Sequence, residues 1–150
     1  FKTFFLPDGL IGDSLPTAIG DDLNGSIGTV PGTDSPGATK FNEIAKSNNF
    51  KAGPYTKESY DSAALIMLAM QAANSTNSND FKSKVMDVAN APGEKIFPGE
   101  LAKGLKLLSE GKEIDYVGAS AVELIGGGES AGNFAEILID NQKVTTVGYK

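Results

Sequence analysis

The 150-residue chain contains neither cysteine nor histidine. Without cysteine there are no disulfides, no thiolate nucleophiles and no thiolate metal sites, and the redox compartment is left open, periplasm or cytoplasm alike. Without histidine the usual general base of serine-type catalysis and the commonest transition-metal ligand are missing, so only carboxylates, lysine and tyrosine remain for acid-base work. Positive charge is also scarce: 13 basic against 19 acidic residues give a net charge of -6. That balance disfavours a phosphate-backbone partner, and nucleic acid is not expected. No stretch approaches the roughly 20 apolar residues of a membrane span. The acidic residues, Asp21-Asp22 included, show no calcium-loop spacing and read as solvated surface, so no metal is expected.

What is present is the composition of a globular protein, 40% hydrophobic and 21% charged, long enough to bury one core. The chain opens on Phe1 rather than methionine and is read as part of a longer protein. Phe1 to Leu6 is apolar without alternation, which suits a strand covered on both faces of a parallel sheet. Leu10 to Leu15 reads as a short helix that Pro16 ends or kinks, and Asn24-Gly25 introduces a second strand, Ser26 to Val30. The turn-rich run Pro31 to Gly37 marks a change of course.

Ala38 to Ser47 is amphipathic, with Phe41, Ile44 and Ala45 on one face. Glu58 to Ala73 is apolar almost all round and is expected to be mostly buried, its methionines filling gaps. Asp80 to Ala89, capped by Ser78 or Asn79, and the segment from Leu101 to Leu108 complete the helices. Strand patterns then dominate, at Ala121 to Ile125, Phe134 to Ile139 and Lys143 to Tyr149, the last two forming a hairpin around Asp140-Asn141-Gln142. The class is α/β with an antiparallel edge.

Few residues stand out as chemistry. Gly126-Gly127-Gly128 lacks the following Lys-Ser or Lys-Thr of a phosphate loop and reads as a turn. Asn24-Gly25-Ser26 and Asn74-Ser75-Thr76 fit a glycosylation sequon that arises often by chance. Tyr55 and Tyr60 are five residues apart, so one is expected in the core and the other at a cleft. Asp8 has two readings: a cap for a helix from Leu10, or a ligand-facing carboxylate beyond the carboxyl end of a parallel strand.

Taken together, "FFLPDG", "NGSIGTVPGT", "YTKESYDSAALIMLAMQAANS" and "PGELAKGLKLLSEGKEIDYVGAS" resemble the C-terminal half of type I periplasmic solute-binding proteins of the branched-chain or hydrophobic amino acid class serving ABC transporters. The resemblance implies a type I periplasmic binding fold of Rossmann-like lobes, parallel sheets flanked by helices, with a C-terminal antiparallel hairpin. It implies that residues 1–30 and 120–150 belong to the C-terminal lobe and residues 31–119 to the N-terminal lobe. It also implies an amino acid or related amide as small-molecule ligand, no catalysis, no cofactor, and a membrane permease as partner without direct membrane insertion. The location would be periplasmic, or extracellular and tethered in a Gram-positive cell.

By the same resemblance Asp8 pairs with the ligand's ammonium and Tyr55 lines the pocket for its side chain. Related binders often carry Glu and Phe there, so strict leucine-type specificity is not implied. "IGGGESAGNF" departs from the family's more compact turn, with altered loop shape and no change of function expected. A ligand-sensing module of a receptor or regulator is the alternative. An enzyme using Asp8 with Lys or Tyr is weaker, because no paired constellation accompanies it.

Overall fold

A computed structural model describes residues 3–150. In chain order the elements are β1 (Phe5–Leu6), α1 (Ser14–Ile19), β2 (Ile27–Pro31), α2 (Pro36–Ser47), α3 (Thr56–Ala73), α4 (Ser78–Phe81) and α5 (Lys84–Ala89). They continue with β3 (Glu94–Ile96), α6 (Leu101–Ser109), β4 (Ile114–Tyr116), β5 (Leu124–Gly126), β6 (Glu129–Ser130), β7 (Phe134–Asp140) and β8 (Lys143–Tyr149). The chain forms two compact units, Phe1–Asp34 with Asn133–Lys150, and Ser35–Gly132.

The first unit is a four-stranded sheet in the order β1-β2-β7-β8. β1 runs parallel to β2, with Phe5 opposite Ile27, and the remaining pairs are antiparallel. Gly28 is required here because a Cβ would collide with the Leu6 carbonyl. Ala135, Ile137 and Ile139 alternate inward along β7 as a half-buried strand must, and Ile137 and Ile139 join Leu6, Ile11 and Leu23 in one core. At the β7–β8 turn Asn141 and Gln142 both take positive φ, 49° and 60°, the backbone that a two-residue hairpin favours.

The opening strand is shorter and more open than expected. Phe1 and Lys2 lie outside the described residues; among the described ones only Phe5–Leu6 pairs, and Phe5 is 67% exposed, so β1 is an edge strand and is not covered on both faces. The helix expected at Leu10 is a 3-10 turn over Asp8–Leu10, and the α-helix starts at Ser14. Pro16 does not end it: it lies in the first turn, where a missing N–H costs nothing.

In the second unit β3 and β4 form a parallel pair with α3, α5 and α6 packed around it. Its core contains Leu65, Leu68, Val88, Ile96, Ile114 and Tyr116. The side chain of Ser35 caps α2 by accepting from the Ala38 N–H at 3.2 Å, and Pro36 follows as first helical residue. α3 buries one face only, through Asp61, Ala64, Leu65, Leu68 and Ala69, while Ile66 and Met67 are exposed, so the expectation of a mostly buried helix is corrected. The helix expected from Asp80 is interrupted after Phe81, and its cap is Asn77, whose side chain accepts from the Asn79 N–H. Gly126, Gly127 and Gly128 all take positive φ at the turn between β5 and β6.

Candidate functional site

In open α/β sheets ligands bind beyond the carboxyl ends of parallel strands. This chain has such an end in each unit. In the first, β1 leads into Pro7-Asp8-Gly9. The turn is closed by the Leu10 N–H donating to the Pro7 carbonyl at 2.9 Å and the Ile11 N–H to the Asp8 carbonyl at 3.0 Å. The Asp8 side chain is exposed, and its Oδ1 accepts from the neighbouring Gly9 N–H at 2.7 Å. It caps no α-helix, because none begins at Leu10. A concavity of about 350 Å³ opens beside the turn, walled by Gly9, Ile11 and Leu15 among others.

In the second unit β3 exits into Phe97-Pro98-Gly99-Glu100 and β4 into Val117-Gly118-Ala119-Ser120. The β3 exit is held from three sides. Glu100 Oε2 accepts from the Phe97 N–H at 3.0 Å, Lys40 of α2 reaches Glu100 Oε1 at 3.3 Å, and the Lys40 ammonium lies 4.4 Å from the centre of the Phe97 ring. The Phe97 N–H, and to a smaller extent Lys40, hold the Glu100 carboxyl below its ordinary range, against the opposing effect of burial. The Tyr60 hydroxyl accepts from the Gly99 N–H at 3.0 Å, while its ring meets Phe41 edge-on at 5.3 Å.

The β4 exit is held by one carboxylate. Asp61, 2% exposed, accepts from the Tyr116 hydroxyl at 2.8 Å, the Ala119 N–H at 2.7 Å, the Ser120 N–H at 2.7 Å and the Ser120 hydroxyl at 2.6 Å. A desolvated carboxylate is tolerable only with such partners. Burial first, and then the Asp61 charge, push the Tyr116 hydroxyl far above its usual range, so it stays protonated and donates. Gly37 packs against the Gly118 carbonyl so closely that no Cβ would fit.

Tyr55 stands at the entrance to α3, 42% exposed and with φ 62°, a left-handed conformation costly for an aromatic residue. The Ser59 N–H and hydroxyl donate to its carbonyl at 3.0 and 2.9 Å. Tyr55 is thus the outward member of the tyrosine pair and Tyr60 the packed one. Asp8 and Tyr55 fall in different units. Among the described residues no three acidic side chains gather in a way that could hold a metal ion.

The leucine-binding protein LivK of Thermotoga maritima superposes with a TM-score of 0.71 over 98% of this chain, at 16% identity. The chain has the type I periplasmic binding protein fold. It spans 37% of the LivK chain. A curated relative, the chemotactic signal transduction system substrate-binding protein BasB of Halobacterium salinarum, is 28% identical over 97 residues, 65% of this chain and 24% of the relative. No protein-family model matches the sequence.

Asp61, Lys40 and Glu100, which hold the two strand exits, were not singled out in the sequence. Asp61 had a usable signal: it shares the face of Ala64, Leu65 and Leu68, at i+3, i+4 and i+7, and a lone carboxylate on an apolar stripe needs buried donors. Lys40 and Glu100 had none, since 60 residues separate them.

Proposed function

We propose that this chain is part of a solute-binding protein that captures a small amino acid or related amide between two lobes and closes on it by hinge motion. It then delivers the ligand to the membrane permease of an ABC transporter, outside the cytoplasm. The observation that carries this reading is the exposed Asp8 carboxylate directly after a parallel strand in a chain of this fold. Asp8 serves as the ammonium anchor. In a closed, water-poor cleft an ionised carboxylate makes a charge-assisted hydrogen bond to an ammonium group. Tyr55 supplies the wall against the ligand's side chain, and its strained backbone suits a position kept for function rather than for stability.

The protein performs no chemistry on the ligand; the LivK and BasB proteins are binding proteins by name. Among the described residues no helix is long and apolar enough to cross a membrane. Calorimetry of the full-length protein against a panel of amino acids, amides and small carboxylates tests the reading, and absence of binding to all of them would overturn it.

The name of the Halobacterium relative, with its reference to chemotactic signal transduction, favours a second reading in which the loaded protein reports to a receptor. Gene deletion separates the two. Lost uptake of the bound solute supports delivery, and intact uptake with a lost behavioural response supports sensing.

A further inference from the structure

Two neighbouring residues on α3 tie it to the exits of both strands of the parallel pair. Tyr60 receives the Gly99 N–H from the β3 exit, and Asp61 receives its four donors from residues 116–120 at the β4 exit. The ties lie in the second turn of α3, whose first residue is Thr56, directly after Tyr55. Asp61 is six positions beyond Tyr55, about 9 Å along a helix at 1.5 Å per residue. Tyr55 is 42% exposed and enters α3 through a left-handed backbone. Its placement therefore depends on how the start of α3 is held.

The hold at the β4 exit is specific to a carboxylate. Each carboxylate oxygen accepts from one backbone N–H, Oδ1 from Ala119 and Oδ2 from Ser120, so an amide in either orientation would turn its own N–H groups toward a backbone N–H that cannot accept. The fit is also steric, because Gly118 has φ 67° and no room for a Cβ beside the Asp61 carboxylate. Substitution at Asp61 should thus loosen the junction of α3 and β4 locally, with the packed apolar face of Ala64, Leu65 and Leu68 left in place.

We infer that Asp61 is a positioning residue for ligand binding: it fixes the start of α3 against the β4 exit and thereby sets the ring of Tyr55, its ligand role resting on the function proposed above. It touches no ligand itself.

The test uses the full-length protein labelled with 3-fluorotyrosine, the Tyr55 resonance being assigned from Y55F. Asp61→Asn and the milder Tyr116→Phe are compared with Leu105→Ala, a truncation of a partly buried residue packed against the core of the same unit, which serves as the control for stability loss. Affinities for L-alanine, L-leucine and L-asparagine are measured well below each variant's Tm. The expected result is a displaced or broadened Tyr55 resonance in Asp61→Asn, a smaller change in Tyr116→Phe, and an affinity loss of about ten-fold or more in Asp61→Asn. Leu105→Ala should leave resonance and affinity as in the wild type. An unmoved Tyr55 resonance in folded Tyr116→Phe and Asp61→Asn would overturn the inference, whether or not an amino acid binds. If Asp61→Asn does not fold, an unmoved resonance in Tyr116→Phe alone overturns it. A wild type that binds none of the three, nor any other member of the calorimetric panel, would overturn the binding function, while a displaced resonance would still place Tyr55 under the control of Asp61.

Discussion

Asp61 closes on Gly118 so tightly that a Cβ at Gly118 would lie 2.6 Å from a carboxylate oxygen, on a residue whose φ of 67° already favours glycine. Steric exclusion and backbone strain act in the same direction at this one position. Gly118→Ala is therefore expected to destabilise the fold by about 2 to 4 kcal/mol, measured by denaturant unfolding of the full-length protein. A change below about 0.5 kcal/mol, the range of an ordinary surface substitution, would show that the β4 exit is not clamped as described.

The Tyr116 hydroxyl gives the same clamp a pH dependence. Its pKa is raised in the folded state above the ordinary 10.0, by burial and then by the Asp61 charge. The group therefore favours folding fully below pH 10, and that contribution is lost as pH rises further, because the unfolded chain releases the proton first. The slope for one proton is at most about 1.4 kcal/mol per pH unit. Unfolding measured from pH 8 to 11 should show wild type losing stability faster than Tyr116→Phe above pH 10. Parallel curves would contradict it.

Tyr55 gives a prediction in which stability and function part company. Its left-handed backbone costs the fold about 1 to 2 kcal/mol, and its exposed ring returns little by burial. Tyr55→Gly should leave folding stability unchanged or raise it by about 1 kcal/mol, while weakening apolar amino acids by about 1.5 to 3 kcal/mol and widening ligand choice. Calorimetry and thermal unfolding on one sample measure both. Loss of folding would mark Tyr55 as a core residue instead.

The elements that could be read from the sequence were those whose pattern is long relative to its period. β7 and its hairpin with β8 were legible because inward and outward residues alternate over seven positions and Asp140-Asn141-Gln142 supplies the turn. α2 was legible because Phe41, Ile44 and Ala45 recur a turn apart, although its start at Pro36, capped by Ser35, lay inside the run read as a turn. β3 was invisible: three residues with only Ile96 buried carry no period, and pairing with β4 defines the strand. α1 was misplaced because Pro16 reads as a helix stop, whereas a first-turn proline is tolerated. For the site, the placement of Asp8 after a parallel strand was legible, while its reading as a helix cap failed because α1 begins at Ser14 and not at Leu10. The donors around Asp61 come from residues 55 to 59 positions away, a separation that no local pattern spans.

The central claim is that Asp8 anchors the ammonium group of an amino acid, and Asp8→Ala in the full-length protein tests it most directly. Calorimetric titration with the amino acid that the wild type binds should show affinity weakened by about 2 to 5 kcal/mol, since truncation leaves a buried ammonium unpaired, with Tm little changed because Asp8 is exposed and caps no α-helix. Unchanged affinity in the folded variant would contradict the account.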